Sequence, residues 1–170
     1  MKYENISMQG DKNNVRYLLE KKGKRTLFVL GINPSTADES QPDNTIRRVM
    51  GFAEREGFDG FAMINVYPQR CTNPNFLHLC RIDKLHQQNL QIITNSISKQ
   101  PNPTILVAFG NLILKRSYLK ECFIDIADAI SLYHPRWKQI GELTKSGNPR
   151  HPLMAKYQPL VDFDIETFLK

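Results

Sequence analysis

The sequence has few cysteines, no long apolar run and no repeats. Its 170 residues include three cysteines, Cys71, Cys80 and Cys122, with no CxxC pair. An odd count without paired spacing excludes a disulfide framework and a cysteine-based zinc site. Reduced thiols, some of them packed in the core, are expected. No apolar stretch approaches the roughly 20 residues that a membrane helix needs. The opening Met1-Lys2-Tyr3-Glu4-Asn5 lacks the apolar centre of a signal peptide. A cytoplasmic protein with no membrane partner is therefore expected, folded as a single domain over residues 1–170.

What is present is an ordinary globular balance, 41% hydrophobic and 24% charged, with a formal net charge of +6. A basic chain favours anionic partners, of which nucleic acid is the commonest.

Apolar runs and helical periodicities alternate along the chain. Thr26–Gly31 and Gly60–Val66 are continuous apolar runs of β-forming residues, the pattern of strands buried on both faces. Between them, Thr45–Glu56 has apolar residues at helical spacing, with Asp43 or Asn44 as cap and Gly57 as stop. Strand, helix, strand is a βαβ unit with parallel strands. Asp83–Lys99 reads as a second helix with Leu85, Leu90, Ile93 and Ile97 inward. Thr104–Gly110 reads as a third strand, Leu112–Ile130 as helical, and Trp137–Leu143 as a fourth strand. Val15–Leu19 fits either a strand or a short helix. The expected fold is a three-layer α/β/α sandwich around a central, mostly parallel four-stranded sheet. In such sheets ligands bind outside the carboxyl ends of the strands.

The loops at those ends carry the polar residues. Gly31-Ile32-Asn33-Pro34-Ser35 follows the first strand, and an Asn-Pro turn is its simplest reading. Asn33 also offers the acceptor and donors that hold a water against a substrate. Asn65 is an amide in an apolar strand end and must find partners in backbone or ligand. Asn111 follows Gly110 and suits a helix cap. The loop Thr144–Pro152 contains Lys145, Arg150 and His151. It reads as a solvated basic loop or as one that meets phosphate and stabilises an anion. His134-Pro135 is an alternative to His151, whereas His78 and His86 read as surface residues.

Taken in order, LFVLGINPSTAD from Leu27, DNTIRR from Asp43, INVYPQRCTNP from Ile64, LVAFGN from Leu106 and TKSGNPRHPL from Thr144 resemble a bacterial and phage family of unknown function marked by an Asn-Pro-Ser-Thr-Ala-Asp loop. That resemblance spans roughly Arg16 to Leu153. More distantly, GINP, LVAFGN and HPL are similar to motifs of the uracil-DNA glycosylase superfamily. This second resemblance implies base excision from DNA by a monofunctional glycosylase, without metal or organic cofactor. It implies Asn33 as the water holder and His151 as the group facing the developing negative charge. Gly31, Ile32, Pro34, Ser35 and Asn65 would then frame and read the base, and Leu153 would wedge into the duplex. Arg47, Arg48, Lys145 and Arg150 are the candidate phosphate contacts. Two rival readings are a non-catalytic relative that binds nucleic acid or a protein through the same face, and a hydrolase or transferase of free nucleosides or nucleotides.

Overall fold

A computed structural model describes all residues, Met1–Lys170. The apolar run Thr26–Gly31 forms β3, completely buried at the middle of a seven-stranded sheet. Its alternate side chains face opposite ways, Leu27 and Val29 into one core and Phe28 and Leu30 into the other. The remaining strands are β1 (Ile6–Gly10), β2 (Arg16–Lys21), β4 (Gly60–Asn65), β5 (Thr104–Val107), β6 (Arg136–Ile140) and β7 (Leu160–Asp162), in the order β1-β2-β4-β3-β5-β6-β7.

The sheet is mixed and larger than the four parallel strands expected from sequence. β4, β3, β5 and β6 pair in parallel, whereas β1–β2, β2–β4 and β6–β7 are antiparallel. The additional strands β1 and β7 are half-exposed edge strands, so they carry no continuous apolar signal.

Helix α1 (Asn44–Arg55) packs Ile46, Val49, Met50 and Ala53 on one face of the sheet. Asp43 caps it by accepting from the Ile46 amide at 2.8 Å, and Gly57 follows it at φ +74°. Helices α2 (Asp83–Ile97) and α3 (Ser117–Ile130) cover the other face, together with the short α4 (Ile165–Leu169). The expected helix Leu112–Ile130 is in fact a 3-10 turn, Gly110–Leu114, then an extended Arg116, then α3. Arg116 donates to the carbonyls of Asn75, Leu77 and His78 and so takes this break in the helix into the body of the protein.

The inner face of α2 also differs from expectation. It presents His86, Asn89, Ile93 and Ile97, with Leu85 and Leu90 only half-buried. His86, expected at the surface, is fully buried, with Nε2 2.8 Å from Asp125 of α3. Asn89 donates to the Asn65 carbonyl at 2.9 Å, which ties the helix to the end of β4. Both polar residues are tolerated inside because each finds a partner there.

One irregularity positions a cleft residue. Gln9 pairs with Leu18 but Gly10 pairs with Arg16, so β2 carries a bulge at Tyr17. Tyr17 then reaches Gln88 on α2, and Leu18 points the same way into that core. Arg16 is turned to the α1 face instead, where it donates to the Ala37 carbonyl at 2.9 Å. Re-aiming a side chain is a usual consequence of a bulge. Gly10 makes it possible: its φ is +138°, and a Cβ there would lie 2.4 Å from the Val15 carbonyl oxygen. Gly10→Ala should therefore open the β1–β2 pairing and lower stability by about 1–3 kcal/mol, the usual range for overpacking. Urea unfolding of the two proteins measures it, and an unchanged midpoint would show that the bulge does not depend on glycine.

Candidate functional site

The connection leaving β3 crosses one face of the sheet through α1, and the connection leaving β5 crosses the other through α3. The loops beyond these adjacent strands diverge, and the gap between them is the usual ligand position in such sheets. A cleft of about 220 Å³ lies there. It is lined by Gly31, Ile32, Asn33 and Ser35 after β3, by Asp43, Thr45 and Ile46 at the start of α1, and by Arg16, Met63, Cys71, Thr72 and Pro74. Leu112, His151 and Leu153 close it.

Asn33 is oriented by its loop. Its Nδ2 donates to the Cys71 carbonyl at 2.7 Å and to the Pro34 carbonyl at 3.0 Å. Two carbonyl partners require the amine side of the amide, so Oδ1 is left as an acceptor. Pro34 itself is buried and does not line the cleft; its carbonyl also receives the Cys71 amide at 2.9 Å.

His151 reaches the cleft from the last loop, which is built as a closed turn. The Thr144 amide donates to the Asn148 carbonyl, and Asn148 Nδ2 and Thr144 Oγ1 both donate to Asn111 Oδ1, at 3.0 and 2.7 Å. Asn111 is thus a dock for this loop rather than a helix cap. Gly110, at φ +61°, lets the loop approach: a Cβ there would be 3.3 Å from the Cβ of His151. The Leu153 amide donates to His151 Nδ1 at 3.3 Å, so the neutral ring carries its proton on Nε2. Burial lowers the His151 pKa from 6.5, opposed by the negative charge of Asp43. His134, the alternative histidine, is exposed just before β6, at the opposite edge of the sheet.

The other sequence-derived candidates divide. Leu153 is half-exposed at the cleft wall. Asn65 ends β4, fully buried, and neither its Nδ2 nor its Oδ1 has a partner. Such a buried amide costs about 1–3 kcal/mol when left unpaired. Arg48 donates to the carbonyls of Pro152 and Ala155 and lies 3.6 Å over the Tyr157 ring, so it fastens α1 to the last loop. Arg150 donates to the Glu142 carbonyl at 2.7 Å. Arg47 and Lys145 are exposed, and Arg47 faces a separate depression near Met1.

Sequence reasoning missed Arg16 and Cys71. Arg16 is 2% exposed, and burial with Arg70 nearby lowers its pKa to about 10, which keeps it charged at neutral pH. Its signal was a charged residue inside the apolar run Val15–Leu19. No three or more His, Cys, Asp or Glu side chains are grouped to hold a metal ion.

The depressed pKa of His151 has two measurable consequences. Its imidazole should titrate below 6.5 in an NMR pH series. The unfolded chain takes up that proton first as pH falls, so His151 contributes stability that is complete above pH 6.5 and lost on acidification through the folded-state pKa. A midpoint at or above 6.5 would show that the ring is not desolvated.

Comparison with known proteins adds a family. A family model described as a protein of unknown function (DUF1643) matches residues 16–153. No curated protein and no solved structure matches the chain. The match takes in the cleft-lining residues from Arg16 to Leu153, and the chain is a member of this DUF1643 family of unknown function.

Proposed function

We propose that the cleft belongs to a nucleobase N-glycosylase that acts on DNA, on the pattern of the uracil-DNA glycosylase superfamily. The observation that carries this reading is the meeting of two oriented neutral groups in one cleft. Asn33 keeps an amide oxygen free as an acceptor, and His151 keeps an N–H on Nε2. In glycosidic cleavage the C–N bond breaks, the base departs with negative charge, the sugar becomes oxocarbenium-like, and water adds to it, its released proton neutralising the base anion. Asn33 orients that water through Oδ1, and His151 donates to the departing base. An amide cannot take the proton of water at neutral pH, so the cation must draw the water in. Release is accordingly slow beside that of an enzyme with a carboxylate at this position.

The nucleotide has to leave the duplex to reach such a cleft. Leu153, at 47% exposure, stands at its edge as an apolar group that can fill the gap left in the base stack. Lys145, exposed on the loop that carries His151, is the phosphate contact best placed to assist.

Two measurements test this reading. Base release from oligonucleotides carrying uracil, mismatched thymine, hypoxanthine or alkylated bases is read as alkali-cleavable abasic sites. Asn33→Ala should abolish release while leaving binding nearly intact, and His151→Ala should slow it on the order of 10²–10³-fold. If the wild-type protein leaves every base in place yet binds DNA, the protein is a non-catalytic nucleic-acid binder. In the second measurement, duplex affinity should fall with salt by a slope of about −0.9 per neutralised phosphate, and Lys145→Ala should reduce that slope by about one contact. A salt-independent affinity would rule out DNA as the partner.

A further inference from the structure

The guanidinium of Arg16 is a buried charge with most of its donors unpaired. It lines the cleft at 2% exposure and forms no ion pair with any carboxylate. Nη1 donates to the Ala37 carbonyl at 2.9 Å, whereas Nε and Nη2 donate to nothing. These last two N–H bonds run side by side along one edge of the guanidinium plane. They form a free fork that matches two adjacent acceptor atoms in a ligand. Asn65 on the neighbouring strand β4 adds a second unpaired group on the same side. It pairs in register with Gly31, and a Cβ on Gly31 would lie 3.0 Å from Asn65 Oδ1. Asn65 does not itself line the cleft but sits behind Gly31, which does. Nε is shielded from solvent, and Met63, also in the cleft wall, is the flexible side chain that can yield to a ligand.

Among nucleobases, two adjacent acceptors on one edge occur in the 6-oxopurines and in cytosine, but cytosine's pair, O2 and N3, includes the oxygen beside the glycosidic nitrogen, where His151 donates to the departing base. A 6-oxopurine offers O6 and N7 together, the pair that arginine reads in guanine. Adenine replaces the oxygen with a donor amine, and the pyrimidine rings of thymine and uracil offer O4 without a neighbouring acceptor. We infer that Arg16 is a specificity-determining residue whose free fork selects a 6-oxopurine, hypoxanthine or a guanine derivative, as the base taken into the cleft, with Asn65 as its second reader. This rests on the base-excision reading for the ligand's being a nucleobase; the fork itself does not depend on that reading.

The test separates binding from excision. Binding of free hypoxanthine, uracil, cytosine, adenine and inorganic phosphate is measured by NMR chemical-shift titration of the wild-type protein. Hypoxanthine should bind on the order of 10- to 100-fold more tightly than uracil, cytosine or adenine. Arg16→Lys keeps the charge but not the planar fork, and should remove this preference in a protein whose circular dichroism is unchanged. Absence of hypoxanthine binding, or uracil or cytosine binding as tight as hypoxanthine, overturns the inference. So does a preference that survives in Arg16→Lys. Phosphate binding as tight as hypoxanthine overturns it as well, by showing that the fork takes an oxyanion. The wild-type comparison decides the matter even if the lysine variant does not fold. Base release then distinguishes the two readings. Hypoxanthine bound through Arg16 but never released from deoxyinosine DNA removes the excision reading and leaves this one. Release of uracil in preference to hypoxanthine removes this one and leaves excision.

Discussion

Irregular backbone packed against a sheet must find donors for its carbonyls, because no ladder supplies them and an unpaired buried carbonyl is costly. Side chains meet this demand around the cleft. Arg16 and Arg70 both donate to the Ala37 carbonyl, and Arg70 also reaches Ser35 and Asp11. Asn33 holds the Pro34 and Cys71 carbonyls, and Asn89 holds that of Asn65. Arg48 and Arg150 do the same for the last loop, at Pro152, Ala155 and Glu142. Without these donors the loops after β3, β4 and β6 would have no fixed shape, and the cleft would not exist.

This demand changes the meaning of the net charge. A charge of +6 suggests a surface made for an anionic polymer. Yet Arg16, Arg48, Arg70, Arg116 and Arg150 all donate to main-chain carbonyls. Several of the positive charges are therefore structural components of the loops. What remains for a partner is a smaller set that includes Lys145, exposed on the loop that carries His151.

The same economy operates on α2, whose buried stripe includes His86 and Asn89 beside Ile93 and Ile97. His86 meets Asp125 across the α2–α3 contact, and Asn89 meets the end of β4. Polar side chains here join elements where apolar ones would only fill space. Hydrophobic periodicity does not detect such residues, because it scores them as solvent-facing.

By itself the sequence determined the elements with strong local signals. The apolar runs of β3 and β4 and the capped, amphipathic α1 are visible residue by residue, since burial on both faces or on one stripe demands those compositions. The placement of Asn33 and His151 on loops beyond strand ends was legible for the same reason. Only the tertiary structure decided the rest. The half-exposed edge strands β1 and β7 take their conformation from the neighbours they pair with, so their composition does not announce them. His151 rather than His134 enters the cleft because the Asn111 dock and Gly110 lie next to one loop and not the other. Arg16 faces the cleft because of a bulge one residue away, and the face of a strand residue beyond a bulge is set by pairing with the neighbouring strand, which no local pattern encodes.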